Sequence, residues 1–309
     1  MNTKNLAQAA LCTLLAISAA LAAAAGIFAR GDGSVTTVTS VRGIPYEIAA
    51  NGVYAYNSHQ VVAEGVGWDA FTLIVIVPAL LIAALFVVRG SLRGRLLASG
   101  LLGYLFYMYF EYSVTWAFGP LFLLHVAIAG LSLGGMVWLI SDLAPAAATL
   151  EPAPGFPSRS WAALALAMAG LLELMWAGRI FQALGSTAGT DSMLAGGTTL
   201  TVQAIDLVLV LPTLVISAIA ALRRTVAGEL AAAVVVVVFV AMAAAIDAML
   251  LSAGLINGEF EWPPIAIFGA AALAGLIIGW RMYTVLGSSQ SEHVRAEQPS
   301  VAGAAPARA

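Results

Sequence analysis

The chain has 309 residues, of which 61% are hydrophobic and only 9% are charged, and its mean hydropathy is +0.95. Soluble domains carry about a quarter charged residues, so this composition excludes a water-facing surface and predicts an integral membrane protein. A net charge of −3 argues against nucleic-acid binding. The single cysteine, Cys12, excludes an intramolecular disulfide and a metal site with several cysteine ligands.

Eight hydrophobic runs are long enough to cross a bilayer, which takes about 20 helical residues. They occupy 8–28, 70–88, 96–117, 119–141, 161–184, 200–222, 227–253 and 264–284. The first run also has the composition of a signal peptide, because Lys4 precedes an Ala- and Leu-rich core. The sequence therefore predicts an all-α integral membrane protein with about seven or eight transmembrane helices.

Most basic residues near the ends of these runs agree on one orientation. They precede the first and fifth spans and follow the second, sixth and eighth: Lys4, Arg89, Arg93, Arg95, Arg159, Arg223, Arg224, Arg281 and Arg295. By the positive-inside rule, these ends are cytoplasmic, and so are both termini.

This orientation divides the chain into four segments. Residues 1–28 are a transmembrane anchor or a signal peptide, 29–68 an extracytoplasmic loop, 69–286 a seven-helix transmembrane bundle, and 287–309 a polar cytoplasmic tail that is expected to be disordered.

The extracytoplasmic loop carries strand and turn patterns. Ser34–Ser40 is a β-prone run, and Asn51-Gly52 is a hairpin-turn signal between Tyr46–Ile48 and Val53–Tyr56. These patterns predict a small β-hairpin cap over the mouth of the bundle.

A weak internal repeat relates the second and sixth spans. Each contains a proline that is followed at equal distances by an arginine and a glycine: Pro78, Arg89 and Gly94 in one span, Pro212, Arg223 and Gly228 in the other. Both spans run from the outside inwards, so such a repeat is parallel, as in some transporters. The alternative is chance recurrence of proline and arginine in apolar helices and at their cytoplasmic ends.

Two short motifs carry a resemblance to known sequences. Gly52–Asn57 reads GVYAYN, and Glu64–Asp69 reads EGVGWD directly before the proline-bearing second span. This stretch resembles the start of uncharacterised bacterial multi-pass membrane proteins. The resemblance covers the outer loop and the first core helices, implies no activity, and agrees with a location in the plasma membrane of a prokaryote.

Six ionisable residues fall inside the predicted spans and away from their extreme ends: Glu111, His125, Glu173, Arg179, Asp206 and Asp247. A charge at the bilayer centre costs roughly 2.5–3.5 kcal/mol on insertion scales, so each is expected to face the bundle interior and to have a partner or a use. With about 1.5 Å of helix rise per residue, all except Glu173 lie in the outer half of the bundle, and Glu173 lies deeper.

These residues predict an acidic pocket that opens outwards. Residues on the same helical faces or at the outer ends of spans are expected at its mouth: His59, Asp69, Tyr104, Tyr107 and Gln203. Carboxylates outnumber Arg179 even when His125 is charged, so at least one acid is expected to be protonated or balanced by a cation. The pattern favours transport or binding of a small ligand, a cation or a proton by a protein that sits in the lipid bilayer.

The sequence leaves three other interpretations open. The pairs Glu111–His125 and Arg179–Asp206 could simply hold helices together. A membrane-embedded enzyme acting at the outer face on lipid-linked substrates would use Glu111 and His125 as acid–base partners. A structural or assembly protein would use the outer loop as its contact surface. No cofactor is predicted, and His59 and His125 are weak candidates for metal ligands.

Overall fold

A computed structural model describes residues 2–185, 194 and 197–297, with the side chains of all of these except 146, 149 and 288–297. The described chain is mostly helical (77%), and seven of its helices are long and apolar enough to cross a membrane. This confirms the prediction of a membrane protein with several transmembrane helices. Residues 298–309, the end of the predicted disordered tail, lie outside the described residues.

The first half of the chain forms four spans and a hairpin. Its elements are α1 (Thr3–Phe28), β1 (Val35–Thr39), β2 (Pro45–Ala49), α2 (His59–Phe71), a π-helical turn (Thr72–Ile76), α3 (Val77–Val88), α4 (Leu92–Thr115) and α5 (Phe122–Ser141). α2, the π-helical turn and α3 form one continuous span.

The second half follows the short helix α6 (Ala144–Thr149) and has the same order of spans. Its elements are α7 (Ser158–Leu184), α8 (Thr201–Ile205), a second π-helical turn (Asp206–Val210), α9 (Leu211–Leu222), α10 (Val226–Asn257) and α11 (Trp262–Glu297). α11 reaches Glu297 and therefore extends into the segment for which a disordered tail is predicted.

The two halves are repeats of one backbone pattern. In each, a π-helical turn precedes a helix whose second residue is proline, Pro78 in α3 and Pro212 in α9. The following helix begins after a hydroxyl N-cap, Ser91 or Thr225, whose side chain accepts a hydrogen bond from a glycine amide. These shared features agree with the predicted repeat, and the parallel orientation of its two units stays a prediction.

α4 corresponds to the predicted span that is not among the seven apolar helices. It is less apolar because Glu111 and several tyrosines lie along it. It is nevertheless central. Tyr104, Met108 and Tyr109 are completely buried, and α4 packs against α3 and α5 of its own repeat and α8 and α10 of the other. Its polar side chains therefore face neighbouring helices.

The outer loop contains the predicted two-stranded sheet, but with a different turn. β1 and β2 are antiparallel, and the chain reverses between them at residues 40–44. The prediction that Asn51-Gly52 forms the hairpin turn is wrong, because β2 pairs with the strand before it. Gly52 does have a positive φ of 88°, and the Asn51 side chain accepts a hydrogen bond from the Asp32 amide at 3.1 Å. These residues close the loop onto the end of α1.

Glycines bring the two repeats into close contact. A Cβ at Gly67 in α2 would lie 2.1 Å from the carbonyl oxygen of Ala248 in α10. A Cβ at Gly100 in α4 would lie 2.5 Å from the Cβ of Val237 in α10. The absence of a side chain lets these backbones approach. α2 and α4 therefore form the interface with the second repeat.

α1 belongs to the core of the bundle. Leu15 and Ala19 are completely buried, and the Tyr109 hydroxyl donates a hydrogen bond to the Ala19 carbonyl oxygen at 3.1 Å. In its first turn, Lys4 forms an ion pair with Asp142 at the end of α5. This packing makes α1 one of the core helices of the first half.

α7 corresponds to α1 in the second repeat but is much less buried. After Ala169, the buried residues of α7 are Trp176 and Ala183. α1 packs against α2 and the π-helical turn of its own repeat, whereas α7 packs mainly against α9. Among the described residues, the C-terminal part of α7 is therefore less buried than that of α1.

Candidate functional site

Asp206 is the first residue of the π-helical turn between α8 and α9. The Leu211 amide donates a hydrogen bond to the Asp206 carbonyl oxygen, five residues back, and the next residue, Pro212, has no amide hydrogen. The helix is thus wound more loosely at this acid. Such turns are frequent at functional sites.

The Asp206 carboxylate is buried and accepts hydrogen bonds from two aromatic side chains. The Tyr107 hydroxyl of α4 donates a short hydrogen bond to Oδ1, and Nε1 of Trp176 in α7 donates to Oδ2 at 3.0 Å. Asp206 therefore connects α4 of the first repeat with α7 of the second.

Glu111 lies one helical turn beyond Tyr107 on α4. Its side chain is only 8% exposed, and its Oε2 has no hydrogen-bond partner among the described residues. The carboxylates of Asp206 and Glu64 lie close enough to interact with it electrostatically. Three acids from α2, α4 and the second π-helical turn thus converge at the boundary between the repeats.

The ion pair between Arg179 and Asp206, which the interpretation of charged pairs as helix contacts requires, is not formed. It is exposed on α7 and stacks over the Trp176 ring, with 5.6 Å between Cζ and the ring centroid. Its charge also attracts the Glu64 carboxylate. Asp206 instead accepts hydrogen bonds from the aromatic side chains of Tyr107 and Trp176.

A second polar cluster surrounds Asp69 within the first repeat. Asp69 is completely buried, and its carboxylate accepts hydrogen bonds from the hydroxyls of Tyr54 at 2.5 Å and Tyr112 at 3.5 Å. Burial and the neighbouring Asp69 carboxylate raise the pKa of Tyr54 well above its ordinary value, so this hydroxyl remains a donor. Gly26 leaves room for the pair, because a Cβ there would lie 1.9 Å from Oδ2 of Asp69.

His125 packs between aromatic rings of α4. Its ring centroid lies 5.5 Å from that of Tyr109 and 5.1 Å from that of Tyr112. Nε2 is buried without a hydrogen-bond partner among the described residues, and the predicted ion pair with Glu111 is not formed. The ring borders a crevice of only about 10 Å³ beneath the outer loop. This volume is smaller than the roughly 300–1,000 Å³ of most small-molecule pockets.

The residues expected at the pocket mouth do not share one opening. Tyr104 is completely buried and hydrogen-bonded to Thr72 at 3.0 Å, and Gln203 is buried in α8. His59 is half-buried at the start of α2. In the part of the chain that the structure describes, no three His, Cys, Asp or Glu side chains are grouped to hold a metal ion.

The remaining two predicted pocket residues lie apart from Asp206. Asp247 is half-buried in α10, with Oδ1 lacking a hydrogen-bond partner among the described residues. Glu173 is exposed on α7, so the expectation that every ionisable residue faces the bundle interior is wrong there. The predicted single layer is therefore two clusters, one around Asp206 and one around Asp69.

Sequence reasoning missed Tyr54, Glu64 and Trp176. α2 begins at His59, earlier than the predicted span at residue 70, so Glu64 belongs to a helix and not to the outer loop. Trp176 is one turn before Arg179, which is the signal that could have identified it. Tyr54 reaches Asp69 through loop folding, which no local pattern indicates.

Comparison with family models, with curated proteins and with solved structures finds no match to this chain. The site offers buried acids with aromatic hydrogen-bond donors at the boundary between the two halves of the chain.

Proposed function

We propose that the protein is a membrane carrier in which Glu111 and Asp206 bind a proton or another small cation between the two repeats. The observation that supports this is the burial of both carboxylates near each other, with Oε2 of Glu111 lacking a hydrogen-bond partner among the described residues. Two charged carboxylates at a desolvated site repel each other, so one of them has to take up a proton or a cation.

The two acids have different roles in this proposal. Asp206 accepts hydrogen bonds from Tyr107 and Trp176, which favour its ionised form. Glu111 lacks such a donor on Oε2 and is the group that gains and loses the proton. The ionised Asp206 then supplies the charge that attracts a cation.

The repeat architecture supports a carrier more than a static scaffold. In transporters built from repeats, the binding site lies between the repeats, which rock against each other around it. Both proline-bearing spans carry a π-helical turn, a point at which helices bend. In this proposal the site opens outwards at the end where α7 is loosely packed.

Proton flux through the purified protein in liposomes tests the proposal. The vesicles enclose a pH-sensitive dye, and a potassium diffusion potential drives proton entry. We expect protein-dependent acidification that Glu111→Gln slows by about tenfold or more, since the amide keeps the shape of the acid but cannot exchange its proton.

Glu229→Gln is the matched control for this experiment. Glu229 is buried and accepts a hydrogen bond from the Ala153 amide at 2.9 Å, which a glutamine oxygen also accepts. It lies in the first turn of α10, away from the Asp206 site. Equal flux in the wild type, in folded Glu111→Gln and in protein-free vesicles would refute the carrier proposal.

A further inference from the structure

The Asp206 site combines carboxylates with the faces of aromatic rings. Tyr107 and Trp176 contact Asp206 directly, and Trp68 lies 6.5 Å from the Tyr107 ring, centroid to centroid. Aromatic faces attract organic ammonium groups through the ring quadrupole, and carboxylates add their charge. Small hard cations such as Ca²⁺ and Mg²⁺ are instead bound by oxygen ligands. The surroundings of Asp206 therefore match an organic cation better than a metal ion.

A cationic side chain of this protein already lies over the face of one of these rings. The guanidinium of Arg179 lies over Trp176, 5.6 Å from the ring centroid. Guanidinium is delocalised and weakly hydrated, properties that it shares with substituted ammonium groups. Since the Arg179 side chain is exposed, the ring face that it covers is reachable from outside the bundle.

We propose that the ligand of this site carries an organic ammonium group. The cation lies between the carboxylates of Glu111 and Asp206 and the Trp176 ring, and it displaces Arg179 from that ring. This inference rests on the proposed function and names its substrate class. The ammonium group has two sources, a free amine or quaternary ammonium solute, and the headgroup of a membrane lipid.

Binding of radiolabelled choline to the purified full-length protein in detergent tests the ligand class. The matched control is 3,3-dimethyl-1-butanol, which has the shape of choline with carbon in place of the charged nitrogen. We expect saturable choline binding that tetramethylammonium displaces and 3,3-dimethyl-1-butanol does not. Competition by the neutral compound at equal concentration would overturn the inference.

Variants then locate the bound cation. Asp206→Asn and Trp176→Leu are each expected to weaken choline binding by about tenfold, whereas Glu229→Gln leaves it unchanged. Arg179→Gln is expected to tighten binding several-fold, because it removes the competing guanidinium. Weaker or unchanged binding in folded Arg179→Gln would contradict the displacement, since a merely structural arginine has no reason to oppose the ligand.

Two outcomes separate this inference from the carrier proposal. A protein that shows Glu111-dependent proton flux but no saturable choline binding would overturn the ligand class and leave the carrier standing. Charge-dependent choline binding without any flux would overturn the carrier and support the ligand class.

Lipid nanodiscs distinguish the two sources of the ammonium group. Choline binding is compared in discs of phosphatidylglycerol alone and in discs that also contain phosphatidylethanolamine. Competition by the second lipid supports a headgroup as the ligand, and unchanged binding supports a free solute. Loss of saturable binding in both kinds of disc would overturn the inference.

Discussion

At the scale of single residues, aromatic donors hold the buried acids of this protein. Tyr54 donates to Asp69, and Tyr107 and Trp176 donate to Asp206. A hydrogen bond to a charged group contributes about 1.5–3 kcal/mol, whereas an ion pair would require desolvation of a second charge. The acids are therefore positioned without a neutralising cation and remain able to bind one.

Gly26→Ala tests how tightly the Asp69 cluster is packed. The added methyl group would lie 1.9 Å from Oδ2 of Asp69 and 2.2 Å from the Tyr54 hydroxyl oxygen, so the short hydrogen bond between them has to move. We expect a loss of about 1–3 kcal/mol in the free energy of unfolding, as for other overpacked sites. Thermal unfolding in detergent micelles measures it.

Gly178→Ala is the control for that substitution. Gly178 also lies in a helix, but an added Cβ would meet no atom within 4 Å. Because alanine favours a helix by roughly 1 kcal/mol over glycine, this variant is expected to be as stable as the wild type or more stable. Equal effects of the two substitutions would show that the contact around Asp69 is looser than the structure indicates.

At the scale of elements, the repeated unit is a π-helical turn, a proline and an N-capped helix. Pro78 and Pro212 cannot donate an amide hydrogen, and the preceding turn shifts the hydrogen bonding by one residue. Thr72 and Asp206 hold the same position in the two turns, and both contact tyrosines of α4. The first position of the π-helical turn is thus the neutral Thr72 in one repeat and the acidic Asp206 in the other.

The N-caps of the repeat provide a prediction at this scale. Thr225→Ala removes the side-chain oxygen that accepts from the Gly228 amide, and we expect a loss of about 1 kcal/mol in the free energy of unfolding. Ser91→Ala is expected to behave in the same way in the first repeat. Denaturant unfolding in micelles measures both, and Thr225→Ser should restore the wild-type value. A loss in Thr225→Ser as large as in Thr225→Ala would contradict the capping role.

At the scale of the whole molecule, the two repeats interact through a tight, glycine-lined interface. Gly67 and Gly100 let α2 and α4 approach α10, and the Ser252 hydroxyl donates to the Ala63 carbonyl oxygen across the same boundary at 2.7 Å. We therefore expect the repeats to stay together without the covalent connection between α6 and α7.

Cleavage of that connection tests this expectation. Pro154 and Gly155 are exposed, so a protease site can be inserted after Gly155. After cleavage, the two fragments are expected to coelute in size-exclusion chromatography with the mobility of the intact protein. Their separation without denaturant would mean that the repeats depend on the connection, and uncut protein is the control.

The sequence predicted the eight spans to within a few residues at most ends. Apolar run length decides where a chain can cross a bilayer, and Arg89 and Arg223 mark the ends of such runs. Two errors are large. α2 begins at His59 because the Ser58 side chain caps it, although its first residues are polar. α11 continues to Glu297, well beyond the predicted end of its span at residue 284. The π-helical turns were not predicted, since proline signals a break but not its form.

The hydrogen-bond and ion-pair partners of the buried polar side chains could not be predicted from the sequence in the same way. Helix depth correctly predicted that Arg179 and Asp206 lie near one another, because Trp176 contacts both. It did not predict that Trp176 would take the hydrogen bond to Asp206, because that depends on the rotation of α7 and α4 about their axes. The same holds for His125, which faces Tyr109 and Tyr112 and not Glu111.

The sequence by itself determined that this protein has several helices long and apolar enough to cross a membrane, and where those helices lie. Both follow from local composition. The tertiary structure decided which side chains surround each buried acid. Asp69 lies within one repeat and Asp206 between two, since helix rotation and the close approach at Gly67 and Gly100 depend on contacts between distant segments. Those long-range contacts bring Glu111 and Asp206 within electrostatic range of each other.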